Sequence, residues 1–359
     1  MKVVISAGGT GGHIYPALAI INKIKEKEPG STFLYIGTHN RMEKDIVPKE
    51  GIPFRSIEIY GLSKKNILAN FKTVNCMRKG YKKCIEILKE FKPDVVIGVG
   101  GYVTVPVILA AHKLSIPAFI HEQNSIPGKA NLFLAKYVSK VGVSFPSTMN
   151  SFSKEKAVFT GNPCSEEAIK KPPMDKSFLG LSPHKKLVLI VMGSLGAGKI
   201  NTYILSLMPY FKVKEYEVVF VTGKGDYDSI PKEKIPKNVF VFPYIDNMTR
   251  LMKKVDVMVS RAGASTMSEI MSLSIPTVLI PSPYVPNNHQ FKNAMDLVDK
   301  KAALLLEEKD LKGDILIRKI EEAMTPKVAE EMKRNLKALA VNDSADRVYK
   351  EVCSIIDRK

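Results

Sequence analysis

The sequence predicts an α/β protein made of two doubly wound parallel-sheet domains that face a cleft. Three observations carry this expectation. Short β-branched runs alternate with helical patterns, as at Lys2 to Ser6, Thr32 to Ile36, Val95 to Val99 and Ala118 to His121. Such alternation builds parallel sheets. Glycine-rich loops follow the first and third of these runs, at Gly8 to Gly12 and Gly98 to Gly101, and ligands of such sheets sit at the carboxyl ends of strands. Finally, the chain repeats itself. Asp94 aligns with Asp256 and Gly101 with Gly263 at one common offset, and Leu114-Ser-Ile-Pro117 recurs as Leu273-Ser-Ile-Pro276.

The first element is the strand Lys2 to Ser6, which runs into Ala7-Gly-Gly-Thr-Gly-Gly-His13. Pro16 suits the first position of a helix, and Ala17 to Ile24 carries its apolar face. Strand, glycine loop and helix open a Rossmann-like unit. The spacing is not G-x-G-x-x-G, so a dinucleotide cofactor is disfavoured. Lys186 to Gly193 restarts the chain as Lys2 to Gly9 begins it. The expected domains are therefore 1–162 and 163–342, with Gly161-Asn-Pro163 as the turn between them. An amphipathic helix within 343–359 either caps the second domain or crosses back to the first.

Composition bounds the class. The 359 residues suffice for two cores, and 45% apolar with 25% charged residues is ordinary for a globular protein. Neither a membrane span nor a signal peptide is expected, and four unclustered cysteines (Cys76, Cys84, Cys164, Cys353) fit a reducing cytoplasm. The net charge of +18 admits nucleic acid, an anionic membrane or phosphorylated small molecules as partners. Nucleic acid is disfavoured, because no helix-turn-helix, zinc knuckle or RNP-type strand is present. Residues 66–88 mix Phe71, Val74 and Tyr81 with Lys72, Arg78, Lys79, Lys82 and Lys83. That pattern reads as a membrane-surface helix or, about equally, as a charged solvated one.

The motif around which the second domain is organised is Val259-Ser-Arg-Ala-Gly-Ala-Ser-Thr-Met-Ser-Glu-Ile270. A strand before it and a helix from Met267 leave the turn Ala262 to Thr266 able to approach a ligand closely. The helix N-terminus then seats a phosphate, and Glu269 reaches a hydroxyl of the same ligand. A diphosphate joined to a diol describes a nucleotide sugar. Thr266-Met-Ser-Glu269 is equally a capping box. Gly193-Ser-Leu-Gly-Ala-Gly-Lys199 lacks the P-loop hydroxyl at Ile200, which argues against magnesium and for a diphosphate cradle. Asp226-Tyr-Asp228 reads as a solvated turn, so no metal is expected. His13 offers an imidazole that can take a proton from an attacking hydroxyl; the alternative is a histidine bonded to its own loop.

In order, Gly8-Gly-Thr-Gly-Gly-His13, Gly100-Gly-Tyr102, His121-Glu-Gln-Asn124, Gly161-Asn-Pro163, Gly193-Ser194, Ser260-Arg-Ala-Gly263 through Glu269 and His289-Gln-x-x-Asn293 span essentially the whole chain. Together they resemble glycosyltransferase family 28, whose bacterial members add GlcNAc to a lipid-linked cell-wall precursor. The resemblance implies the GT-B fold, with the lipid acceptor on the first domain and UDP-GlcNAc on the second. It implies that Ile245 contacts the uracil through its backbone and Glu269 holds the ribose diol. Ser194 and the turn Ala264, Ser265, Thr266, Met267, Ser268 would bind the diphosphate, and Gln290 with Asn293 the GlcNAc. Thr10, Gly11, Gly12 and Asn124 would complete the site, with His13 as candidate base.

No cofactor or metal is implied. The partners would be UDP-GlcNAc, a lipid-linked MurNAc-pentapeptide and the anionic inner leaflet, met through Phe71, Lys72, Val74, Arg78, Lys79 and Tyr81. The protein would be peripheral on the cytoplasmic face of the membrane. Three positions depart from the family pattern: Ser165 replaces a usual Arg, Leu195 a usual Gln, and Val105-Pro106 a common Gly-Pro. Arg261 or Lys199 is expected to compensate for the missing Arg. A GT-B transferase with another lipid acceptor, a P-loop NTPase and a non-catalytic nucleotide-sugar binder are the rival readings.

Overall fold

A computed structural model describes residues 1–61, 67–193 and 198–356, with backbone only for 67–72. The chain forms two compact units. One comprises Met1–Cys164 together with Asp343–Lys359, the other Ser165–Asn342.

The first unit is built on β1 (Lys2–Ser6), β2 (Thr32–Thr38), β3 (Phe54–Ile57), β4 (Val95–Gly98), β5 (Ala118–Glu122), β6 (Lys140–Val143) and β7 (Ala157–Phe159). All pairings are parallel, in the order β3-β2-β1-β4-β5-β6-β7. The second unit contains β8 (Leu187–Val191), β9 (Glu217–Val221), β10 (Val239–Phe242), β11 (Val257–Ser260), β12 (Thr277–Leu279) and β13 (Leu304–Leu305). Its order is β10-β9-β8-β11-β12-β13, again parallel. In both sheets the order reverses between the first and fourth strands, which is where such folds bind ligands. Strands covered on both faces read as apolar runs, and Val3, Val4, Ile5, Val95, Val96 and Ile97 are fully buried.

The internal repeat has a physical basis at three places. Asp94 and Asp256 each accept a backbone N–H at the start of the neighbouring first strand, from Lys2 at 2.7 Å and from Leu187 at 2.8 Å. Ser115 and Ser274 both adopt left-handed φ, 55° and 52°, just past a helix. Ile116 N–H donates to Ala111 and Ile275 N–H to Ile270, the six-to-one bond that closes a Schellman motif. Gly9 and Gly193 share positive φ, 99° and 98°, at the exit of β1 and after β8.

The first helix, Gly11–Lys27, begins five residues before Pro16, which therefore lies inside it and not at its first position. Two glycines are poor helix formers, yet the loop's tertiary anchors override that preference. The C-terminal helix Ser344–Ile356 packs against Gly11–Lys27. Val348, Val352 and Ile355 join Ile14, Ile21 and Ile24 in one core, and Tyr349 donates to Glu28 at 3.0 Å. Lys27–Asp346 at 3.1 Å adds an ion pair at its edge. The helix thus crosses back to complete the first unit.

Candidate active site

In the first unit two glycine loops lock together at the carboxyl ends of β1 and β4. Gly8 N–H donates to the Gly100 carbonyl at 3.2 Å. A Cβ on Gly101 would stand 2.5 Å from the Gly8 carbonyl oxygen, so only glycine permits this approach. His13 lies in the first turn of the helix, and its Nδ1 donates to Gly8 O at 3.0 Å. That bond leaves Nε2 as the acceptor. Nε2 rests against Gly100, where a Cβ would come within 2.8 Å. Thr10 and Gly12 are exposed on the same turn, Gly11 is buried, and Thr10 O accepts from His13 N at 3.1 Å.

Behind this loop lies a group that sequence reasoning missed. Glu43, fully buried, accepts from Thr38 N (3.0 Å), Thr38 Oγ1 (2.6 Å) and Gly9 N (3.2 Å). Met42-Glu-Lys-Asp45 reads as a surface charge run, and nothing local marks one carboxylate as internal.

His121-Glu-Gln-Asn124 ends β5 in a buried network. His121 Nε2 donates to Gly161 O at 3.0 Å, and Gln123 Nε2 donates to its Nδ1 at 3.1 Å. Burial pulls this imidazole down to about 4, opposed by the bond to Gly161. His121 is therefore neutral and structural. Glu122 binds Asn124 N, Asn124 Nδ2, Gly128 N and Asn131 Nδ2 at 2.8–3.2 Å, which fixes Asn124 at the sheet edge.

In the second unit the helix after β11 is Ala264–Leu273, with Gly263 as its cap. Ala264, Ser265 and Thr266 form its first turn, whose N–H groups precede any acceptor within the helix. The capping box is overturned: because the helix starts at Ala264, Glu269 lies in its second turn and Thr266 caps nothing. Met267 is fully buried and its N–H is already bonded to Gly263 O at 2.9 Å. Ser268 Oγ donates to Ser265 O at 2.6 Å. Ser265 and Thr266 are thus the half-buried members of the turn. Glu269 keeps partial exposure, yet the packed protein around it pushes its carboxyl up to about 7, with Lys171 pulling it down.

Ile245 is buried by its side chain just after β10, so its backbone is the part left for a ligand. Asn293 is fully buried and donates to Ala262 O at 3.1 Å, holding the turn before the helix. Gln290 Oε1 accepts from Ser282 N at 2.8 Å. Ser194 and Leu195 lie outside the described residues.

Comparison with known proteins gives the family. The model of the glycosyltransferase family 28 N-terminal domain matches residues 3–143, and that of its C-terminal domain matches residues 187–348. The chain belongs to glycosyltransferase family 28. A family 28 relative from Bacillus licheniformis, named UDP-N-acetylglucosamine--N-acetylmuramyl-(pentapeptide) pyrophosphoryl-undecaprenol N-acetylglucosamine transferase, is 49% identical over 97% of both chains. A protein of the same name from Halalkalibacterium halodurans is 47% identical over 97% of this chain and 98% of its own. The crystal structure of Acinetobacter baumannii MurG matches with a TM-score of 0.76 at 27% identity, covering 98% and 99% of the two chains. The fold is of the two-domain GT-B type.

Against the family 28 pattern, Ser165 is buried and donates to Val341 O at 2.7 Å. The guanidinium of Arg261, expected to compensate for the absent Arg, pairs with Glu308 and donates to Ile280 O at 3.1 Å. Lys199 is exposed. Pro106 falls in the first turn of the helix Thr104–Lys113, where a missing N–H costs nothing. Asp226 lies half-buried in the short helix Lys224–Tyr227 and accepts from Asn201 Nδ2 at 2.6 Å, while Asp228 is exposed as expected. Among the described residues no cluster of three or more His, Cys, Asp or Glu could hold a metal ion, and no helix is long and apolar enough to cross a membrane.

The basic segment forms the helix Ile67–Phe91. Val74 is 51% exposed, and Arg78, Lys79 and Lys82 continue its outward face one turn at a time. Tyr81 departs from the expected membrane set, since its ring packs against the core beneath. Phe71 and Lys72 fall in the early turns of this helix, and their side chains lie outside the described residues.

Proposed function

We propose that this chain transfers GlcNAc from UDP-GlcNAc to the C4 hydroxyl of undecaprenyl-pyrophosphoryl-MurNAc-pentapeptide, lipid I, and so forms lipid II of peptidoglycan synthesis. The observation that carries this reading is near 50% identity, end to end, to transferases named for that reaction. The unit Ser165–Asn342 takes the donor. Ser265 and Thr266, at a helix N-terminus, face the diphosphate, and Ser194 joins them. Glu269 accepts from the ribose diol, the Ile245 backbone meets the uracil, and Gln290 and Asn293 order the sugar's surroundings.

The unit Met1–Cys164 takes the acceptor. Nε2 of His13 accepts the C4 hydroxyl proton as that oxygen attacks C1 of GlcNAc and the bond to UDP breaks, inverting the anomeric centre. Thr10, Gly11, Gly12 and Asn124 shape the surface around this base. Charge developing on the UDP oxygen is stabilised by N–H groups already in place, so no metal is needed for that role. The test is transfer of labelled GlcNAc from UDP-GlcNAc to a short-chain lipid I in EDTA. Robust transfer supports the reading; binding of UDP-GlcNAc without transfer to lipid I overturns it.

The enzyme works as a peripheral protein at the cytoplasmic face of the membrane, with Val74, Arg78 and Lys79 against anionic headgroups. Phe71 and Lys72 extend the same segment. Lys82 adds to the patch, whereas Lys83 is tied to Ser56 O at 2.8 Å. Each basic residue near such a surface contributes about 1 kcal/mol. Replacing Arg78, Lys79 and Lys82 by Gln is expected to weaken binding to phosphatidylglycerol vesicles ~100-fold in sedimentation assays. Transfer to a water-soluble lipid I analogue should stay at the wild-type rate. Unchanged sedimentation removes this face from the membrane contact.

A further inference from the structure

We propose that Glu43 acts on His13 through a single peptide group, as the anionic end of a carboxylate–amide–imidazole relay. The peptide group joins Gly8 to Gly9. Its carbonyl, Gly8 O, accepts from His13 Nδ1 at 3.0 Å, and its N–H, Gly9 N, donates to Glu43 Oε2 at 3.2 Å. The carboxylate therefore touches neither substrate nor imidazole. It is a positioning residue whose charge reaches His13 through one polarised amide.

Several features favour this arrangement over incidental packing. Glu43 is fully buried, and its other bonds come from the N–H and hydroxyl of Thr38, which are uncharged donors. A desolvated carboxylate leans strongly on each donor it has, and bonds to a charged acceptor are about twice as strong as neutral ones. Pulling on the Gly9 N–H shifts electron density onto the Gly8 oxygen, so the bond from His13 Nδ1 strengthens cooperatively. The backbone is shaped for the relay. Gly9 holds φ of 99°, and a Cβ on Gly8 would stand 2.5 Å from Glu43 Oε1. A side chain at Gly8 would push the carboxylate away, and one at Gly9 would strain the backbone that aims its N–H. Tyr35, which is titratable, also faces Glu43, and its hydroxyl donates to Ala7 O at 3.0 Å, one residue before the relay.

The relay has two consequences for transfer. It holds imidazole as the Nδ1–H tautomer, with Nε2 as the lone-pair side. It also places a negative charge where positive charge grows on the ring as the acceptor proton arrives, and no bond in the relay itself breaks. The chemical logic is that of a buried carboxylate orienting a catalytic histidine, with an amide interposed. This inference rests on His13 being the base.

The test uses full-length protein with ¹⁵N-labelled histidine, His13 being assigned by the signal lost in His13→Gln. In wild type the ring should report Nδ1–H. In Glu43→Gln the Nδ1 proton resonance should move upfield and the Nε2–H tautomer should become populated. Lipid I transfer by Glu43→Gln should fall ~10-fold in kcat with KM for UDP-GlcNAc unchanged. Tyr35→Phe loses a buried hydrogen bond in the same loop and is the control for stability; its His13 signals should match wild type and its kcat should stay within about twofold. Identical ring signals in wild type and Glu43→Gln overturn the relay, as does an equal kcat loss in both variants. If His13→Gln keeps full transfer, the reading of His13 as base fails, while the ring signals still decide whether the relay exists.

Discussion

His13→Ala is expected to lower kcat for GlcNAc transfer ~10²–10⁴-fold while leaving UDP-GlcNAc affinity near wild type. The direction follows from where the ring's two nitrogens go. Nδ1 is taken up by Gly8 O, so Nε2 alone can accept a proton. The imidazole lies within the first unit's glycine loop, against Gly100, whereas the proposed diphosphate residues Ser265 and Thr266 belong to the other unit. Removing it takes away proton acceptance and leaves the proposed donor residues of the other unit unchanged in sequence. Steady-state kinetics with a short-chain lipid I, paired with calorimetric titration of UDP-GlcNAc, separate the two effects. A variant with wild-type kcat rules His13 out as the base, and one that no longer binds UDP-GlcNAc assigns it to donor binding instead.

UDP-GlcNAc affinity is expected to rise with pH through about 7 and to lose that dependence in Glu269→Gln. Burial pushes the Glu269 carboxyl from its ordinary 4.5 up to about 7. Ribose hydroxyls donate to the ionised form, so binding selects the carboxylate and releases a proton below pH 7. Affinity at pH 6 should be roughly tenfold weaker than on the alkaline plateau, one pH unit below the carboxyl's midpoint. Above pH 8 the Gln variant should bind ~30-fold more weakly than wild type, as expected when a charged acceptor is lost.

The unliganded protein carries the opposite trend. The folded carboxyl holds its proton to higher pH than the unfolded one, so stability falls as pH rises from about 4.5 to about 7. Allowing for the partial exposure of Glu269, the loss is about 2 kcal/mol, and Gln should abolish it. Calorimetry in buffers of different ionisation enthalpy, alongside melting curves at pH 5 and pH 8, checks both signs. A pH-independent wild-type affinity would show that the carboxyl does not meet the diol.

Much of this architecture was legible in local chemistry. The paired Leu-Ser-Ile-Pro segments marked two equivalent helix ends, and both serines do sit in left-handed conformation there. Asp94 and Asp256 marked equivalent strand starts, each accepting a backbone N–H of the neighbouring first strand. What escaped was whatever depended on distant packing. The helix start at Gly11 is set by Gly100 and Gly101 from another strand's loop, which outweighs the signal from Pro16. The capping-box pattern at Thr266 was undone because Gly263 caps the helix instead. Glu43 has charged neighbours in sequence and only neutral donors in space. Asn293 matched a sugar-binding motif, yet its amide braces the Ala262 carbonyl, a role visible only once that turn has folded beside it.

The path of the chain also bears on how the protein is made. Val348, Val352 and Ile355 close the first unit's core, but they follow the last strand of either sheet in the chain. Translation therefore delivers every strand of both sheets before the earlier domain can finish folding. Until then Ile14, Ile21 and Ile24 belong to an uncovered helix face, the kind of transient apolar surface that invites aggregation. A frameshift or premature stop just before the helix Ser344–Ile356 should thus harm the first unit, farther from the lesion in sequence, and leave the unit Ser165–Asn342 intact.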